Sequence, residues 1–147
     1  MYERAGRILH RSWAIAVAVS VVHYVDNYVN YRDYPAPAPG SDVPVPSQAA
    51  VGLSWFVFTA FGVLALVLWH RRRIVGAAVA LTVYSVSGLV GLAHYAVPAA
   101  TDMAWWRQGH VVLDIACGLV LFGFALWATA RAGELRSVRE PARSGSR

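Results

Sequence analysis

Lysine is absent from this chain, cysteine occurs once, and Asp and Glu together number eight among 147 residues. The lone Cys117 excludes an intrachain disulfide and any metal site built on paired thiolates. Charged residues make up 14% of the chain against 57% hydrophobic ones, too few to cover a water-facing surface around so much apolar material. Proline is nearly confined to one stretch, at 35, 37, 39, 44 and 46, which leaves the apolar runs uninterrupted. These scarcities exclude an ordinary soluble domain and point to the bilayer as solvent. The length is that of one domain.

The charge that is present is one-sided and clustered. The formal net charge is +5. Most arginines fall in three groups: Arg4, Arg7 and Arg11; Arg71, Arg72 and Arg73; and Arg131, Arg136, Arg139, Arg143 and Arg147. Each group flanks an apolar run, so the pattern reads as membrane orientation and not as a nucleic-acid surface.

Four apolar runs, about 12–30, 51–69, 74–96 and 110–130, have the roughly 20 residues a helix needs to cross a core of about 30 Å. The expectation is an all-α, integral membrane four-helix bundle of up-down topology. The Arg-rich segments precede the first run, separate the second from the third and follow the fourth. Loops 31–50 and 97–109 hold just Arg32 and Arg107. That bias predicts a multi-pass cell-membrane protein with both termini cytoplasmic. Trp13, Trp55, Trp69, Trp105, Trp106 and Trp127 lie near run ends, as interfacial aromatics do. The first run is expected to stay uncleaved, because HYVDNYVNYRDYP offers no A-x-A-like site after WAIAVAVSVV. The proline-rich loop is expected to be a semi-rigid extended cover. Residues 131–147 form a basic tail, expected to be partly disordered and suited to anionic headgroups.

A polar side chain is costly inside a membrane helix, so the direction it faces is informative. In SVVHYVDNYVN, His23, Asp26, Asn27 and Asn30 follow the i, i+3, i+4, i+7 spacing of one helix face. His110, Asp114 and Cys117 share a face of the fourth run, and Tyr84, Ser87, Gly91 and His94 share one of the third. At 1.5 Å per residue, His23 comes out roughly 17 Å from the cytoplasmic end of its run and Asp114 roughly 24 Å. His94 and His110 come out at roughly 30 Å. The three stripes therefore predict a shared polar site in the outer half of the bundle.

Three kinds of function fit such a site. His23, Asp26, His94, His110 and Asp114 could hold a divalent transition metal (Zn, Fe or Mn), which would activate water or act on a lipophilic substrate. Asn27, Asn30 and Tyr84 would then orient those groups or a ligand. Haem is disfavoured here by the offset of about 13 Å between His23 and the other two imidazoles. Alternatively the site is metal-free and takes a lipid or isoprenoid, with Tyr24, Tyr28, Tyr84, Trp105 and Trp106 as aromatic walls. In layout alone this version resembles sterol-isomerase-type membrane bundles; no motif aligns and no residue role carries over. Finally, the polar groups could tie the bundle to itself, to a second copy or to a partner membrane subunit, with no chemistry of their own. His10 and His70 read as solvated interface residues beside arginines. Asp102 and Arg107 read as loop residues, solvated or paired at the surface. Ser87 and Gly91 read as a small pair that lets helices approach.

Overall fold

The computed structural model describes residues 1–38, 40–42 and 45–137. Pro39, Pro44 and the tail beyond Ser137, with Arg139, Pro141, Arg143 and Arg147, lie outside the described residues. Among the described residues all regular structure is helical, and four helices are long and apolar enough to cross a membrane.

The first helix, α1 (Tyr2–Val29), starts ten residues earlier than the apolar run suggests. Arginine is a good helix former, and Tyr2, Ala5, Gly6 and Leu9 bury one face at i, i+3, i+4, i+7 while Arg4, Arg7 and Arg11 point outward. After a short 3₁₀ turn (Tyr31–Asp33), the described residues up to Ser47 hold no regular structure. There the Ser47 hydroxyl accepts a bond from the Ala50 amide at 3.2 Å and caps α2 (Gln48–His70).

The turn after α2 is tight. The amides of Arg72 and Arg73 fold back onto the carbonyls of Trp69 and Leu68, each at 2.9 Å, and Arg72 takes a left-handed φ of 59°. Next comes α3 (Ile74–Leu89), which gives way to a 3₁₀ segment at Val90–Ala96. The single α-helix expected over 74–96 therefore changes pitch near its end. Pro98 is one cause of the stop: it forces Val97 out of the helical region, to φ −113° and ψ 152°. The fourth helix, α4 (Trp105–Ala130), starts five residues before the expected boundary, so Arg107 is a helix residue and not a loop residue. A last short helix, α5 (Ala132–Arg136), buries Leu135 completely, so the start of the expected tail is part of the fold.

In packing, α3 lies against α2 and α4, and α1 lies against α4 and α2. The apolar core runs through Leu9, Trp69, Ile74, Leu81, Leu121 and Leu135. The tightest backbone approach joins α3 to α4 through Gly88 and Gly118. A Cβ on Gly88 would run into the Asp114 carbonyl, and one on Gly118 would stand 2.9 Å from the Ser85 carbonyl oxygen. The small pair expected at Ser87 and Gly91 is thus displaced: Gly91 faces the Ile115 side chain, and the backbone contact falls to Gly88. Ile15, Val22, Leu53, Phe56, Leu113 and Leu126 are exposed on the outer faces, an apolar girdle that suits lipid and not water.

Candidate functional site

The side chains that interrupt the apolar runs meet where α1 faces α4. On α1, His23 and Asp26 are one helical step apart; on α4, Arg107, His110 and Asp114 are spaced three and four, also on one face. The pairs cross between the helices. His23 Nδ1 is 2.7 Å from Asp114 Oδ2. Asp26 Oδ2 accepts from Arg107 Nε at 2.9 Å and lies 3.2 Å from His110 Nε2. The higher number on one helix pairs with the lower on the other, as neighbours running in opposite directions require.

All five side chains are more than nine-tenths buried. Burying charges is tolerable only with partners, and each carboxylate has them. Besides Arg107, Asp26 accepts from the Tyr34 hydroxyl at 2.6 Å and from Asn30 Nδ2 at 2.6 Å. Arg107 also reaches Asp33, 3.4 Å from its carbonyl and 3.5 Å from its carboxylate. Its guanidinium lies 4.9 Å from the Tyr34 ring centroid and 5.0 Å from that of Trp106. Burial, with the Asp26 carboxylate second, raises the Tyr34 hydroxyl far above the ordinary phenol value, so it is a donor throughout the physiological range.

Three imidazoles cluster here. The ring of His23 is 5.5 Å from that of His110 and 5.6 Å from that of His94, centroid to centroid. His94 also faces Tyr34 at 4.9 Å and lies 3.4 Å from Asn27 Nδ2. The sequence-based offset of about 13 Å between these histidines is overturned, and with it the distance argument against haem. Its error was the origin of the count. Measured from Tyr2, His23 stands roughly 32 Å along α1, level with His110 at roughly 30 Å from Ala130.

Two of these rings have unused capacity. Asp114 holds His23 Nδ1, while His23 Nε2 is buried with no hydrogen-bond partner among the described residues. Neither nitrogen of His110 makes an aligned hydrogen bond; Nε2 is close to Asp26 without pointing at it. Among the described residues no group of three or more His, Cys, Asp or Glu is arranged to hold a metal ion. The carboxylates expected to face a metal are turned instead to Arg107, Tyr34, Asn30 and His23.

The remaining expected members divide. Tyr84 sits deeper, its ring centroid 6.4 Å from Trp13, at the wall of the apolar core. Cys117 is half-buried and packs against that core. Trp105 is largely exposed, whereas the Trp106 ring is 5.8 Å from His110. Tyr24 borders the cluster: its ring is 5.4 Å from His23 and its hydroxyl donates to the Ser87 carbonyl at 3.3 Å. On its other side Tyr24 lines an apolar groove of about 610 Å³ between α1 and α2, with Val21, Val25, Leu53, Trp55 and Phe56.

Arg107 and Tyr34 were missed as site residues. For Arg107 a signal existed, since it continues the His110 and Asp114 stripe by three residues. For Tyr34, beside the proline-rich loop, no periodicity could have announced it.

The chain is thus an all-helical protein with four candidate membrane spans and a buried His/Asp/Arg network. No protein-family profile, curated protein or solved structure matches it.

Proposed function

We propose that this is a four-crossing membrane protein of up-down topology with both termini cytoplasmic, and that its outer-end network binds a small lipophilic molecule through a polar oxygen. The orientation rests on the arginines that flank α1, the α2–α3 turn and the end of α4. The binding reading rests on one observation: Asp26 and Asp114 are satisfied, whereas His23 Nε2 and His110 Nδ1 are buried without partners among the described residues. A buried polar atom left unpaired costs about 1 to 3 kcal/mol. A guest hydroxyl, which can donate to one ring nitrogen and accept from another, would remove that cost at both rings, and the Asp114 contact would keep His23 in the Nδ1–H tautomer whose Nε2 accepts. The groove beside Tyr24 is of the size and apolar character that holds an acyl or isoprenoid tail. The reading assigns binding and no reaction.

A metal is the second reading, favoured by a specific contact. Metal-bound imidazoles usually donate their other nitrogen to a carboxylate, and His23 does so to Asp114. His23, His94 and His110 would hold a Zn, Fe or Mn ion with Asp114 behind them, after the rings turn inward.

One preparation tests both. Detergent-purified protein is extracted for mass spectrometry of small lipophilic molecules and digested for elemental analysis. The expected result is a discrete species that is lost in His23→Phe and in His110→Leu. A stoichiometric metal lost in the same variants replaces the first reading by the second. If neither accompanies a protein that holds a membrane partner tightly, both give way to an accessory subunit. Reporter fusions at the C-terminus test the orientation, which is overturned if the tail is reached from outside.

A further inference from the structure

At the opposite end of the bundle, the start of α1 and the end of α2 border an open cleft of about 530 Å³. Arg7, Arg11 and Arg72 line it against one carboxylate, that of Glu3, which lies 3.9 Å from Arg72. The three guanidiniums therefore outnumber the acid and leave the cleft cationic.

Its walls carry further polar groups. His10 and His70, expected to be separately solvated, meet there with their Nε2 atoms 3.2 Å apart. His10 Nδ1 is 2.6 Å from the Gly6 carbonyl, an acceptor, so Nδ1 carries the hydrogen and Nε2 of the neutral ring accepts from His70. Trp69, just 2% exposed, lines the same cleft, and its buried indole Nε1 has no hydrogen-bond partner among the described residues. Gly6 is what leaves room beside that indole, since a Cβ there would stand 3.0 Å from Nε1.

The arrangement is held firmly. Tyr2 stacks on Trp69 with centroids 5.2 Å apart and planes within 9°, and its hydroxyl donates to the Trp69 carbonyl at 2.6 Å. The Arg72 guanidinium lies over the Tyr2 ring, 3.4 Å from its centroid. Arg72 does so from a left-handed φ of 59°, uncommon for a residue other than glycine.

We infer that this cleft binds a phosphate group, carried by a lipid headgroup or free in solution. Guanidiniums match phosphate oxygens in fork geometry. The buried Trp69 indole N–H, unpaired beside Gly6, is a neutral donor that an anion could use and a cation could not. The site is independent of the imidazole cluster at the other end.

The test uses the full chain in a neutral detergent, with native mass spectrometry and thermal melting as readouts. The probes are dioctanoyl phosphatidic acid, dioctanoyl phosphatidylcholine and inorganic phosphate. Phosphatidic acid is expected to bind and to raise the melting temperature, and Arg7→Gln/Arg11→Gln to weaken it about tenfold or more. Both arginines are exposed, so the variant should fold; Arg7→Lys/Arg11→Lys should restore most of the affinity. Binding of the lipid without competition from millimolar phosphate identifies a headgroup site. Competition, or binding of phosphate alone, identifies a free-phosphate site. The inference is overturned if neither probe binds, if phosphatidylcholine binds as well as phosphatidic acid, or if the glutamine variant retains full affinity.

Discussion

Arg107 and Arg72 both stack on tyrosine rings, yet they sit in opposite electrostatic settings. Arg107 is 8% exposed and is met by the carboxylates of Asp26 and Asp33. Arg72 is half-buried among further arginines and imidazoles, with a loose contact to Glu3. At the first end charge is cancelled within the protein, so removing any one member exposes the rest to an apolar medium. At the second end charge accumulates, so removing a member changes affinity for an anion and leaves the fold alone. The difference teaches which polar residues hold the protein together and which remain free to act on something else.

The largest effect should come from breaking the cancelled charge. Asp26→Ala leaves the Arg107 guanidinium buried without its main partner, and a loss of about 3 to 5 kcal/mol is expected in reversible denaturation in mixed micelles. The double variant Asp26→Leu/Arg107→Met should recover part of it, because no buried charge is then left unpaired, although Tyr34 and Asn30 lose their acceptor. Should the double variant be no better than the single one, the network is not a charge-cancelling device and the contrast drawn here is lost.

Next in size is Gly88→Ala, which drives a methyl into the Asp114 carbonyl and pushes α3 from α4. Overpacking of this kind costs about 1 to 3 kcal/mol. It should also disturb the His23–Asp114 contact, visible as a changed imidazole resonance in a ¹⁵N-histidine spectrum. Tyr34→Phe should cost less, about 1.5 kcal/mol, for one hydrogen bond to a charged acceptor. A full-sized loss there would mean that the 31–46 segment, and not the ion pair, closes this end.

The smallest effect concerns pH. The folded Tyr34 hydroxyl has a raised pKa, through burial first and Asp26 second. Its contribution to stability is therefore complete below the ordinary phenol value of 10.0 and is lost as the pH rises above it. Melting curves of the parent should fall more steeply above pH 10 than those of Tyr34→Phe. Parallel curves would show that Tyr34 is not the group that titrates.

The helix count and the apolar faces could be read from the sequence because both follow from hydropathy and length alone. The meeting of His23, Asp26, His94, His110 and Asp114 followed from spacing, since three stripes on three helices have few other ways to be buried. Depth along the helix was not readable in the same way. Arginines at the start of α1 interrupt the hydropathy without interrupting the helix, and every distance counted from Ser12 inherited that shift. Pairing was harder still. Whether a carboxylate faces a metal, an imidazole or a guanidinium depends on side-chain geometry across two helices, and Arg107 lies outside the run that defined its helix. The His10–His70 contact belongs to the same class: it depends on residues 60 positions apart being level, which no local pattern encodes.

The Asp26–Arg107 bond has a consequence for biogenesis. Its two halves are 81 residues apart, so at about 5 to 20 residues per second the carboxylate is synthesised roughly 4 to 16 s before the guanidinium that neutralises it. During that interval α1, if it crosses a membrane, cannot settle into hydrocarbon with Asp26 as an unpaired ion. It must wait at the headgroups, carry a proton, or stay within the insertion machinery. In the first and last of these cases the docking of α1 is completed only when α4 arrives.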